Sequence, residues 1–186
     1  MTSNFNQRKS SVLSKLDKST KGSWDKKIIS LCEKINKKEN FYTTSSCAGR
    51  IVLLIDKDEE RGNLFLKVWH DKISFEELKK TLDEINKKEN IKFKMESCIL
   101  HVACENLTDA QKLLDEAREI GWKRSGMITS KNKIILELNS TEKLEFPIMR
   151  RGKLLVDENF LKIIVSEANK KLEKAWWKIM KLEKVV

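Results

Sequence analysis

Apolar residues recur at helical spacing over residues 24–38, with Trp24, Ile28, Leu31, Cys32 and Ile35 on one face. This predicts an amphipathic helix, with Ser23 as its N-cap and Asp25 in its first turn. The pattern then shortens. Residues 41–44, 50–55 and 64–69 read as strands, and the polar stretch 58–62 reads as the turn between the last two. Ser74 and Glu77 have the spacing of a capping box, followed by the stripe Phe75, Leu78, Leu82 and Ile85. Residues 92–104 read as one long strand. Thr108 and Gln111 suggest a second capping box, for a helix that buries Ala110, Leu113, Leu114 and Ala117 and stops at Gly121. A hairpin follows, over 122–129 and 134–138 with its turn at Lys131-Asn132, then short strands at 144–148 and 153–156. A final helix starts at Asp157. Its buried side carries Phe160, Leu161, Ile164, Val165, Ala168, Leu172, Ala175, Trp176 and Ile179, and its other side is strongly basic.

This order of elements predicts an α+β fold: one domain over residues 23–186, with a mixed or antiparallel sheet packed by helices. Residues 1–22 are polar and basic and read as a loosely held segment. The hexapeptide Ile35-Asn36-Lys37-Lys38-Glu39-Asn40 returns identically at Ile85-Asn86-Lys87-Lys88-Glu89-Asn90, fifty positions later. Each copy ends a helix and precedes a strand with a Ser-Cys pair, Ser46-Cys47 and Ser97-Cys98. Two related helix–strand units, or merely shared helix-end chemistry, would both produce the echo.

Composition narrows the class. The chain has 186 residues and a net charge of +10, so it attracts polyanions such as RNA, unless the lysine excess is compositional bias. No apolar run approaches the ~18 residues of a membrane span, and the first residues lack the apolar core of a secretion signal. A cytoplasmic protein with four reduced cysteines (Cys32, Cys47, Cys98, Cys104) and no CxxC pair is therefore expected.

The six glycines, at 22, 49, 62, 121, 126 and 152, permit neither GxGxxG nor a P-loop, so a doubly wound nucleotide fold is not expected. Cys98-x-x-His101-x-x-Cys104 has the residue types of a metal site. On a strand, however, Cys98 and Cys104 share a face and His101 points to the other, so no metal is expected. The stretch Thr44-Ser45-Ser46-Cys47-Ala48-Gly49-Arg50 is the most unusual in the chain. Small side chains let a ligand approach the backbone, and an arginine can clamp a carboxylate or phosphate. A Ser-rich loop entering a sheet is the plainer alternative.

Thr43-Thr44-Ser45-Ser46-Cys47-Ala48-Gly49-Arg50-Ile51 also resembles the signature of the wybutosine-synthesis N-4 methyltransferase family, which acts on phenylalanine tRNA. The resemblance extends over nearly the whole chain. It includes residues 17–25, His70, Lys94-Met95-Glu96, Ile99-Leu100-His101-Val102 and residues 121–126. Ser140-Thr141, Pro147, Gly152-Lys153-Leu154 and Ala168-Asn169 follow in order. Ser97 and Asn139 depart from it, standing where the family often carries proline and arginine.

The resemblance implies transfer of a methyl group from S-adenosylmethionine to a ring nitrogen of a tricyclic guanosine derivative beside the anticodon. It implies no DNA or membrane partner. By motif position, His70 or His101 would act as base or orient the acceptor. Glu96 would neutralise the developing cation or be an ordinary salt-bridge partner. Ser45, Ser46, Cys47, Gly49 and Arg50 would hold the cofactor, together with Ser125 and Gly126; direct transfer leaves Cys47 as a neutral pocket-lining thiol. These groups would have to share one cavity. Lysines and arginines of residues 8–27 and of the terminal helix would meet phosphates, and Trp69 and Trp122 would be available to stack on a base. The competing reading is a non-catalytic basic RNA-binding module.

Overall fold

The computed structural model describes residues 4–15, 25–56, 64–85, 89–130 and 133–186. Ser23, Trp24, the turns at 58–62 and 131–132, and residues 86–88 of the second echo lie outside the described residues. The fold is α+β with two antiparallel sheets, and the chain divides into two compact units. Unit 1 comprises residues 1–48, 98–141 and 175–186, and unit 2 comprises 49–97 and 142–174.

Unit 1 carries a four-stranded sheet in the order β1-β5-β7-β6. Its strands are β1 (Phe41–Cys47), β5 (Ile99–Cys104), β6 (Gly126–Ser130) and β7 (Lys133–Asn139). One face packs on α2 (Ile29–Lys37), α4 (Leu107–Ile120) and the end of the terminal helix. The core there includes Leu31, Ile35, Leu100, Val102, Leu114, Leu136, Leu138 and Ile179, all buried. Trp122 is fully buried in the same core and its indole N–H donates to the Lys178 carbonyl at 3.3 Å, so it is not the base-stacking surface anticipated from sequence. The other face is covered at one end by α1 (Asn4–Leu13). Phe5 packs on Tyr42 and Ala103, its ring centroid 5.2 Å from that of Tyr42. The basic N-terminal segment thus contains a helix anchored by one aromatic side chain.

Unit 2 carries a five-stranded sheet in the order β3-β2-β4-β8-β9. The strands are β2 (Arg50–Ile55), β3 (Phe65–Trp69), β4 (Ile91–Glu96), β8 (Leu144–Arg150) and β9 (Lys153–Leu154). Ile51, Leu53, Ile91, Phe93 and Met95 are buried, as are Leu78 and Leu82 of α3 (Phe75–Glu84) and Leu161, Ile164 and Ala168 of the terminal helix. That helix, α5 (Glu158–Val185), is one element whose residues 158–174 belong to unit 2 and 175–185 to unit 1. Phe160, placed on its buried side by periodicity, is 42% exposed and meets Phe146 edge-on.

Local signals explain most element ends. Ser74 and Glu77 form the reciprocal capping box that starts α3. Gly121 ends α4 at φ 108°, a left-handed conformation that favours glycine. The N-cap of α4 is Asn106, whose side chain accepts from the Asp109 N–H, and not Thr108. α2 begins at Ile29, without a side-chain cap and later than the periodicity suggests. The long strand 92–104 is two strands, β4 and β5, interrupted at Ser97-Cys98 where the chain leaves one unit for the other.

Candidate functional site

The outer face of the unit 1 sheet, opposite the core, carries a transverse row of residues from all four strands. Ser45 of β1 lies opposite His101 of β5, His101 opposite Glu137 of β7, and Glu137 opposite Gly126 of β6. Directly opposed residues share a face, so the row is continuous. A bulge between Thr43 and Ser45 sets it up. Thr43 pairs with buried Val102, and the extra residue Thr44 turns Ser45, which strict alternation would send inward, out beside His101.

His101 Nε2 lies 3.0 Å from Glu137 Oε2, with the two side chains 29% and 37% exposed. A carboxylate only accepts, so this contact holds the imidazole proton on Nε2 and leaves the Nδ1 lone pair basic. Gly126 closes the row beside Glu137, and a Cβ placed on it would meet nothing within 4 Å. Cys47, Ile99 and Asn139 form the next row on this face. Tyr42, Ala103, Ile135 and the exposed Ile128 form an apolar row on the other side.

The remaining predicted residues fall into three groups. Ser46 lies on the core-facing side, next to the Cys32 thiol. Cys32 is pushed up to about 11, chiefly by burial, with the Ser46 hydroxyl pulling the other way. Ser125 serves the chain's own fold: its hydroxyl donates to the Trp122 carbonyl at 2.5 Å and accepts the Asn139 N–H at 2.9 Å. Gly49, at φ 98°, takes a left-handed conformation after β1, so the glycine of the Ser-rich stretch is required by the turn. Asp25 supports that stretch from behind, accepting the Ala48 N–H at 3.0 Å.

Arg50, Glu96 and His70 belong to unit 2. Arg50 Nε donates to Glu96 Oε2 at 2.5 Å, and the guanidinium lies over the Phe65 ring at 4.8 Å. Lys94 Nζ is also 3.7 Å from Glu96 and 3.5 Å from Glu145. Glu96 therefore faces two cations. His70 follows β3 and is half-buried. Cys98 and Cys104 are buried on the core side of the sheet, and His101 is on the other face.

Glu137 has no place among the residues singled out from sequence. Its signal is visible in the alternation of β7, where buried Leu136 and Leu138 flank it, but nothing local pairs it with His101.

The family model described as Methyltransferase TYW3 matches residues 7–186. This chain belongs to that family. A relative from Thermococcus sibiricus is 39% identical over 186 residues, covering 97% of this chain and 93% of its own. It is named tRNA(Phe) 7-((3-amino-3-carboxypropyl)-4-demethylwyosine(37)-N(4))-methyltransferase. A human relative, tRNA wybutosine-synthesizing protein 3 homolog, is 36% identical over 176 residues, covering 91% of this chain and 67% of its own. The solved structure of the PH1069 protein from Pyrococcus horikoshii superposes with a TM-score of 0.89 at 34% identity, covering 97% of this chain and 93% of that one. Membership bears out the resemblance read from the Ser-rich signature, and with it a methyltransferase that requires a methyl donor. No helix among the described residues is long and apolar enough to cross a membrane.

Proposed function

We propose that this chain transfers a methyl group from S-adenosylmethionine to N-4 of 7-(3-amino-3-carboxypropyl)-4-demethylwyosine at position 37 of phenylalanine tRNA. The observation that carries the reading is the 39% identity to the Thermococcus sibiricus enzyme of that name over 97% of the chain. The net charge of +10 suits a polyanionic substrate.

S-adenosylmethionine, when bound, supplies an electrophilic methyl group on a sulfonium. The outer face of unit 1 fits such a group on two counts. Glu137 offers a carboxylate to ribose hydroxyls or to positive charge, and the open position at Gly126 leaves room beside it. Ser45 adds a hydroxyl at the far end of the row. In this reading His101 takes or orients the acceptor proton through Nδ1, while Glu137 fixes the ring and stabilises the imidazolium. Cys47 lines the next row as a neutral thiol. Arg50 meets a carboxylate of the cofactor or of the amino-carboxypropyl arm through its Nη groups, because Nε is committed to Glu96. Ser46, Ser125 and Gly49 contribute by shaping the backbone, and His70 is the second candidate base.

Titration with S-adenosylmethionine, followed by transfer of labelled methyl to tRNA carrying the demethylated tricyclic base, tests the reading. Cofactor binding and incorporation only into that tRNA are expected. RNA affinity with neither cofactor binding nor transfer would establish the non-catalytic module instead.

A further inference from the structure

The last turns of α5 place Trp177, Lys181 and Lys184 on one stripe, at spacings of four and three residues. Trp177 is 50% exposed and Met180 beside it 53%, while Ala175, Ile179 and Leu182 face the core of unit 1. A half-exposed tryptophan at the end of an amphipathic helix contributes nothing to that core. The Lys181 ammonium sits 5.1 Å from the Trp177 ring centroid, so the ring is flanked by a cation.

α2 continues the surface. Lys34 Nζ donates to the Glu183 carbonyl at 2.6 Å, and the Ser30 hydroxyl donates to the Glu183 carboxylate at 2.6 Å. Glu183, the acid of residues 175–186, is thereby engaged locally. Just ahead of α2, Lys27 Nζ lies 4.7 Å from the Trp176 ring centroid. Four lysines and two indoles therefore cluster here, with Glu33 as the remaining nearby acid on α2.

We propose that this surface, formed by α5 residues 177–184 and the start of α2, is where the RNA substrate docks, with Lys181, Lys184 and Lys27 meeting phosphates and Trp177 stacking on an unpaired base. The inference rests on the reading of the substrate as tRNA. One exposed ring flanked by lysines matches a single-stranded loop, whose bases offer π-faces beside a charged backbone. A second copy of this chain fits poorly, because a symmetric contact through the stripe would bring lysine against lysine.

The test measures binding of an unmodified phenylalanine tRNA transcript to the full chain across a salt series. Trp177→Ala should weaken binding about tenfold or more, and Trp177→Phe, which keeps a stacking face, should recover most of it. The double variant Lys181→Ala/Lys184→Ala should lower the slope of log affinity against log salt by about 1.4–1.8. Lys112→Ala, on the exposed side of α4, should do neither. In the transfer assay the losses fall on KM for tRNA. Unchanged affinity and slope would overturn the proposal. So would a self-association lost in Trp177→Ala, or binding of anionic phospholipid vesicles that tRNA does not displace. Because tRNA binding is read without methyl transfer, failure of the enzymatic reading would show separately, as a wild-type chain that binds tRNA and modifies nothing.

Discussion

Glu137 Oε2 lies 3.0 Å from His101 Nε2 across the adjacent strands β7 and β5, on the solvent side of the unit 1 sheet. The carboxylate sets which ring nitrogen carries the proton, and so which one remains basic. If His101 acts in proton transfer, His101→Ala should lower kcat by about 10²–10⁴ with folding intact. Glu137→Gln can donate as well as accept and so relaxes the choice of tautomer. A fall of about tenfold in kcat is expected, with an altered pH–rate profile, because the imidazolium loses its carboxylate. Equal kcat and an unaltered profile in Glu137→Gln would remove the dyad from the mechanism.

Asp25 ties the Ser-rich stretch to the start of α2. Its carboxylate accepts the Ala48 N–H, and its carbonyl accepts the Ile28 N–H at 2.9 Å. Asp25→Ala leaves a buried N–H without that acceptor and should cost about 1–3 kcal/mol. Asp25→Asn, which keeps an acceptor oxygen, should recover much of the loss. Denaturant midpoints of the two variants, compared at equal slope, check this.

The buried thiols predict an alkaline limit. Burial pushes Cys32 up to about 11 and Cys104 up to about 12. An unfolded chain releases these protons near pH ~8.5, while the folded chain keeps them. Their contribution to stability is therefore complete below ~8.5 and is lost as pH rises toward 11–12. Unfolding midpoints should decline over that window, and Cys104→Ala should decline less steeply than the wild type. A thiol reagent at pH ~8 should label Cys32 and Cys104 only after denaturation.

The α3 cap offers a stability change away from the candidate site. Ser74→Ala removes the hydroxyl that accepts the Glu77 N–H, while the backbone N–H of residue 74 still donates to the Glu77 carboxylate. A loss of about 1 kcal/mol is expected in thermal or chemical unfolding.

Sequence legibility followed the range of the interaction involved. The Ser74–Glu77 box and the Gly121 stop were readable because each is completed within one turn of chain. The break at Ser97-Cys98 shows in the sequence only as a change of phase, from Ile91, Phe93 and Met95 to Cys98, Leu100 and Val102, and it is the separate pairings of β4 and β5 that make two strands of it. Nothing local marks Trp122 as a core residue, because the partner of its indole N–H, the Lys178 carbonyl, is remote in sequence. At the candidate site the signature around Cys47 was legible as composition. The bulge that turns Ser45 outward and the register that brings Glu137 to His101 are products of strand pairing, which no local pattern encodes.

The central claim is tested most directly by nucleoside analysis of phenylalanine tRNA isolated with the demethylated tricyclic base, then incubated with this chain and S-adenosylmethionine. Conversion of that nucleoside alone is expected, to a product heavier by one methyl substitution, with fragmentation placing the group at N-4. An unconverted nucleoside under conditions where the Thermococcus sibiricus relative converts it, or a methyl group at another atom, would contradict the account.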